Sequence, residues 1–483
     1  MIPFPEWTPD RPPASSGLQK AKGCYAVAGG YRGMPTLGVT TSAFSGICIG
    51  VFSAPSIAGN PQTYLGTASK LYQRDGEDWD DVSQGGGYTI ASDDRWEFWQ
   101  WGDNVYAASR SDLLQKQTGA TGTFADVSGG PKANCLFRIG QFLVVGDVYD
   151  STNVPHRVRW SAIGNPDDWP TAGSGDAQEV QSGQQDLDLL DGAVKAIRGF
   201  DFGIVVQERA ITRMTYVGAP IVWQFDRIDS RGSKYPGSVV QVGRRVYFLG
   251  DDGWYVTDGS GESQPVGHGR IDRWFFDNFD PANGAKISGA HDPVRGLIVW
   301  AFPSVNSGGS NDMLLVYNYR EDRWTYDEQA AEKVYLGFPP AYTLDSIDSL
   351  YSSADDIDLS ADAAFWSASR PALSAIVTTY GYQFEGEPGT AELQTGVLAL
   401  NEGARSMLTD VRPIVDGTCT IEVAGRVTYD GTATTYGPFT PSTTHGRATM
   451  RVNAFFHQLT FYIAGQFNRA AGFELYQKRV GLK

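Results

Sequence analysis

The stretch Ser238–Glu262, SVVQVGRRVYFLGDDGWYVTDGSGE, decides the fold. Three apolar runs, Val239–Val242, Val246–Leu249 and Trp254–Thr257, are parted only by GRR and GDDG. The runs are β-branched and aromatic, and the Gly, Asp and Arg separators suit tight hairpin turns. Each run is too short to stand as a helix. Local chemistry therefore predicts a three-strand meander, followed by a fourth run around Val266 after Pro265. Four short antiparallel strands make one sheet that cannot bury its own faces.

The same unit recurs on both sides. Downstream lie Lys286–His291, Gly296–Phe302, Asp312–Tyr319 and Arg323–Asp327. Upstream lie Ala193–Gly199, Gly203–Gln207, Ala210–Tyr216 and Val222–Ile228, preceded by Ala133–Ile139, Gln141–Asp147 and His156–Ile163, which lead into NPDDW. Earlier copies run through Arg95–Trp101, Asn104–Ser109, Asp112–Gln117 and Thr123–Val127, and through Phe44–Phe52, Gln62–Thr67, Lys70–Gln73 and Asp78–Val82. Third strands begin near Lys70, Asp112, Arg157, Ala210, Trp254 and Met313, a loose period of roughly 40 to 60 residues. The expectation is an all-β chain whose residues 42–333 form a β-propeller of about six, or seven, four-stranded blades. A large array of β-sandwiches gives a similar strand count and is the second reading.

The flanks differ. Residues 1–41 carry Pro3, Pro5, Pro9, Pro12 and Pro13, which impose extended backbone and deny ladder hydrogen bonds, so they read as a Pro-rich arm. Trp7 within it needs a place to bury, on its own domain or on a neighbouring subunit. Residues 334–390 read as an acidic linker with possible closing strands. The run Leu344–Asp362 holds Asp345, Asp348, Asp355, Asp356, Asp358 and Asp362 but no Gly for the sharp turn of a calcium loop, so it reads as solvated chain. Residues 391–483 carry strand-like phrases such as SMLTDVRPIV and CTIEVAGRVTY at sandwich spacing, and read as a C-terminal β-sandwich. The tail NRAAGFELYQKRVGLK reads as an interaction edge.

At 483 residues the chain is too long for one core. Its net charge of −16 argues against holding nucleic acid by neutralising phosphates, yet suits a wall past which DNA slides. Cys24, Cys48, Cys135 and Cys419 are dispersed among apolar residues, so buried free thiols are expected. Met1–Trp7 lacks the basic and apolar regions of a signal peptide, and SGICIGVF is too short for a membrane span. The expectation is a cytosolically made protein with no membrane insertion.

Several patterns bear on chemistry. Phe137-Arg138-Ile139-Gly140 resembles the sialidase arginine motif, but Gly140 stands where that family has proline. Arg74–Trp79, RDGEDW, resembles a sialidase Asp box, but lacks its serine and spacing. The pairs Asp80-Asp81, Asp93-Asp94, Asp167-Asp168 and Asp251-Asp252 invite comparison with the two carboxylates of glycosidases. Adjacent strand residues point to opposite faces, however, and aspartates in turns bond their own backbone. His156, His268, His291, His445 and His457 are isolated, without metal-ligand spacing. The expectation is no catalytic, cofactor-binding or metal site, no cofactor and no enzyme activity. Trp96, Trp99 and Trp101 could stack on sugars, although W-x-W alternation more often marks a buried face.

Several phrases taken in order resemble one family. They are Trp7–Pro13 (WTPDRPP), Gly29–Pro35 (GGYRGMP), Lys70–Ser83, Arg159–Trp169 (RWSAIGNPDDW), Phe202–Gly218, Gly237–Gly259, Arg270–Asp277 (RIDRWFFD), Leu315–Tyr326 and Leu408–Gly417. Together they are similar to the β-propeller tail hub or nozzle proteins of tailed bacteriophages, the group that includes tail tubular protein B and the packaged-DNA stabilisation proteins of short-tailed phages. The resemblance implies a structural virion protein, made in the host bacterial cytoplasm. Six copies would form a ring below the portal and adaptor. That ring would enclose the DNA exit channel, retain the genome until ejection, pass double-stranded DNA without sequence-specific binding, and dock fibres, spikes or a plug. The alternative is a glycan-binding or glycan-cleaving propeller acting as a peripheral receptor-binding tail protein.

Overall fold

The computed structural model of the chain describes residues 1–57, 60–338, 371–401 and 403–479. The acidic run Leu344–Asp362 lies outside them. Seven four-stranded antiparallel units follow one another, the first six paired in chain order from the innermost strand outward. Blades one to six span residues 50–81, 97–126, 132–186, 194–229, 240–265 and 288–327. Blade seven takes three strands, Lys333–Gly337, Ala372–Val377 and Tyr380–Gly386, from late in the chain. Its outermost strand is Thr36–Val39, from near the start. The inner strands of blades seven and one then touch, closing the ring. The fold is a seven-bladed β-propeller joined to a β-sandwich, so the count is seven rather than six. The extra blade is the one whose strands are split between the two ends of the sequence.

Seven separate apolar clusters hold the propeller together, one wherever neighbouring blades meet. Alternation along a strand sends successive residues to opposite neighbours. In blade four, Ala196, Ile204 and Val206 pack toward blade five, while Ile197 and Val205 pack toward blade three. Both faces are therefore buried, and a strand such as Leu297–Pro303 is buried at every position. Close packing fixes small residues: an added Cβ on Gly66 would sit 2.3 Å from the Trp96 ring, which itself donates to the Thr67 carbonyl at 2.9 Å.

The sandwich uses both chain termini. One of its sheets holds Cys24–Val27, Gly30–Gly33, Ala470–Arg479, Ser406–Val415 and Ala448–Ala454, with Ile2–Pro3 added beside Ala470–Arg479. The C-terminal strand is flanked on both sides only over Ala470–Phe473, whereas Glu474–Arg479 pair with Ser406–Val415 alone. The other sheet is continuous with blade six. Arg323–Asp327 runs parallel to Lys20–Lys22, which pairs with Glu392–Gln394, and the sheet goes on through Phe456–Ala464 and Thr418–Arg426 to Thr434–Phe439. The result is one nine-stranded sheet from the propeller ring to the far side of the sandwich. A single core, including Phe4, Trp7, Leu408 and Phe461 from the sandwich and Trp254, Trp300 and Trp324 from blades five and six, fills the junction.

The proline arm is folded into this junction. Trp7 is fully buried against Trp274 and Tyr326, and its indole N–H donates to the Gln19 carbonyl at 3.1 Å. Of the two destinations open to it, it takes its own chain. The arm is not extended throughout: Ile2–Pro3 joins the sandwich sheet and Trp7 bridges to Leu18, while the chain turns at Pro9–Asp10, where the Arg11 N–H donates to the Thr8 carbonyl at 3.1 Å, and again at Pro13–Ala14.

Candidate functional site: the central cavity and the free edges

The innermost strands of all seven blades surround a central cavity of about 820 Å³. Apolar and glycine residues make most of its wall, which also carries four cations, Arg95, Arg138, Arg198 and Lys333, and two carboxylates, Glu97 and Asp201. These groups come from different blades. Arg95 lies two residues before the inner strand of blade two and Glu97 opens it, Arg198 is the penultimate residue of that of blade four, and Lys333 begins that of blade seven. Glu97 bridges the two arginines, 3.0 Å from Arg198 and 3.6 Å from Arg95, and also accepts from the Leu136 N–H at 3.3 Å. Arg95 donates to the Lys195 carbonyl at 2.9 Å and to the Cys135 sulfur at 3.3 Å. Burial lowers the Lys333 ammonium below its ordinary value and the nearby Arg95 adds to this, while the Cys48 sulfur and Glu332 oppose it. At the rim, Asp201 is held by Arg244 at 2.7 Å and Arg138 lies over the Trp101 ring at 4.4 Å.

The sequence motifs that suggested enzymes go elsewhere. Arg138 spends its Nε on the Gly140 carbonyl at 2.9 Å. Arg74 closes a hairpin turn through Gly76 and also donates to the Thr40 carbonyl, at 2.8 Å in both cases, while Trp79 donates to Thr41 at 3.0 Å. This pseudo Asp box therefore anchors the chain leaving the closing strand. Each aspartate pair has a member held by a cation, but Asp93 and Asp94 are not split, since both meet Arg110, at 2.9 and 2.8 Å. Asp81 meets Lys70 at 2.7 Å, Asp167 meets Lys116 at 2.6 Å and Asp251 meets Lys234 at 3.0 Å.

Trp96 is buried between blades one and two, whereas Trp99 packs at a tilt against Phe137, ring centroids 4.1 Å apart, toward blade three. The three tryptophans do not form one platform. The four cysteines are free and buried, and burial pushes the Cys48, Cys135 and Cys419 thiols up to about 12. His457 is buried, and His291 bonds the Tyr319 hydroxyl at 3.0 Å. Among the described residues, no group of three His, Cys, Asp or Glu side chains is placed to hold a metal.

Two outer features remain. Thr434–Phe439 ends the nine-stranded sheet, and its first five residues are all exposed. At the tip of the outer hairpin of blade four, Tyr216, Val217 and Ile221 are exposed. The cluster around Arg95 escaped the sequence reading because its members lie in different blades. The one local cue was a charge set inside an otherwise apolar inner strand, as in AVKAIRGF at 193–200.

No family model matches the chain, and no curated protein matches it. Solved structures similar to it include the extracellular domain of a putative one component system from B. thetaiotaomicron, at 10% identity and a TM-score of 0.40. That match covers 72% of this chain and 39% of the other, so this chain spans well under two thirds of that protein. YCF48 bound to a peptide is similar at 11% identity and a TM-score of 0.36, over 61% of this chain and 86% of the other.

Proposed function

We propose that the chain is a structural subunit of a ring, the nozzle or hub of a short-tailed bacteriophage, lying below portal and adaptor and enclosing the path of DNA. The observation that carries this reading is the nine-stranded sheet. A propeller and a sandwich linked only by a flexible segment would move independently. Here both chain ends are woven into the junction, and one core crosses it. Such a body keeps its shape under load, which a wall confining packaged DNA requires. The free Thr434–Phe439 edge and the Tyr216–Ile221 tip supply unpartnered backbone and apolar surface of the kind a neighbouring copy, an adaptor or a fibre covers. The order of sequence phrases from Trp7 to Gly417 supports the family, and the acidic composition suits passage of DNA without capture.

Native mass spectrometry of the purified chain, alone and with its adaptor, tests this. A closed ring of six copies, free or adaptor-induced, is the expected result. A stable monomer under both conditions removes the reading in favour of a peripheral propeller.

A further inference from the structure

We infer that the central cavity is a binding site for a small divalent oxyanion, a phosphate group or its like, held between Arg95, Arg198 and Lys333. The inference concerns the inside of one propeller and holds whether or not the chain forms a ring. It starts from charge. The whole chain has 39 basic and 55 acidic residues, yet the cavity wall reverses that balance, with four cations against two carboxylates. The rim accounts for Asp201, held by Arg244, and for Arg138, stacked on Trp101. Deeper in, Glu97 alone serves both Arg95 and Arg198.

Lys333 lines the same wall, and among the described residues no hydrogen bond or ion pair reaches its ammonium. Carboxylates behind the wall do not make up the difference. Asp147 is engaged by Arg110 at 3.4 Å and Asn134 at 3.0 Å. Glu332, next to Lys333 in sequence, takes a backbone hydrogen bond from Thr378 and, among the described residues, forms no ion pair with Lys333, so it acts on that ammonium only at longer range. The surplus of cations over carboxylates on this wall favours the entry of an anion. Two guanidiniums and an ammonium lining one cavity from three blades match the several acceptor oxygens of a dianion. A volume of about 820 Å³ falls in the range of small-molecule sites and leaves room for a group larger than phosphate itself.

The test is thermal unfolding of the full chain in inorganic phosphate, titrated against chloride at constant ionic strength. The wild type is expected to show a saturable rise in Tm with phosphate, as any ligand of the folded state gives. Lys333→Met is expected to shift the phosphate midpoint by about tenfold or more, the loss of one charge-assisted hydrogen bond. In chloride alone the same variant should melt no lower than the wild type, because it removes an unpaired buried cation. Lys333→Arg should keep the phosphate response, and serves as the readout if Lys333→Met fails to fold. A wild type with no saturable phosphate response overturns the site. So does a Lys333→Met response equal to that of the wild type, or a Lys333→Arg protein that folds but has lost the response.

Discussion

Asp272 is the residue whose environment most clearly opposes its charge. It is buried at the start of the short helix Asp272–Asn278, with Gly253 and Gly267 pressed so close that an added Cβ on either would collide with its carboxylate. Among the described residues its carboxylate takes one hydrogen bond, from the Trp254 N–H at 3.1 Å. Burial raises its carboxyl to about 6, with Asp10 and Asp252 adding to the rise and the Trp254 N–H and His268 opposing it. In the unfolded chain the same group titrates near 4. A folded value above the unfolded one means that its stability contribution is complete below about pH 4 and is lost as pH rises through 6. Asp272→Asn keeps the acceptor for Trp254 and never ionises. It should therefore stabilise the protein at pH 7.5 by about 1–2 kcal/mol, a figure reduced for partial solvent access, with the advantage fading to nothing near pH 4. Tm measured against pH for both proteins checks this, and a gap independent of pH would assign the effect to packing instead. Nothing in the sequence marked Asp272, since its burial depends on glycines 5 and 19 residues away that only the folded chain brings against it. Trp7 was legible at this scale, because an indole in a proline arm has to find a cavity, but the arm could not say whose.

The short helix shows how elements here borrow from distant chain. Ile271 at its N-cap position makes no side-chain hydrogen bond. The cap comes instead from Asp10, whose two carboxylate oxygens accept from the Arg273 and Trp274 N–H groups, both at 2.9 Å. Asp10→Ala should cost about 1 kcal/mol, as loss of an N-cap does, and Asp10→Asn much less. Urea unfolding of the two variants checks the ranking, and equal losses would point to charge rather than to capping. Strands tell the same story in reverse. Blades two to six were readable because both faces of each are packed, which turns alternation into continuous apolar runs such as Leu297–Phe302. The sandwich was readable because Ala448–Ala454 alternates strictly between buried and exposed positions. Thr36–Val39 was not readable. It is partly exposed, and its partner Tyr380–Gly386 lies more than 340 residues away, so no local period reveals it.

At the scale of the whole molecule, the question is whether the propeller and sandwich are one cooperative unit. Their sheet is joined where Lys22 meets Tyr326 in parallel register, supported by the Gly23 N–H to the Tyr326 carbonyl at 3.0 Å and a Lys22–Glu328 ion pair at 2.5 Å. Half-exposed ion pairs contribute little, and so short a parallel contact is weak by itself. What couples the domains is the shared core, in which Trp7 lies between the N-terminal arm, blade six and the helix that follows blade five. Removing either domain would expose the inward face of the other. Hydrogen exchange monitored in rising denaturant should therefore show Arg323–Asp327 of blade six and Phe456–Ala464 of the sandwich losing protection together, in one opening event. If the sandwich opens first, Trp7 and the junction core carry less than their burial suggests. The propeller would then stand as an independent domain, and in the proposed ring the stiffness would have to come from contacts between copies. If both open together, the stiffness that the proposed ring needs lies within the single chain, and Trp7→Ala should split the transition in two by emptying a site where arm, blade and helix meet.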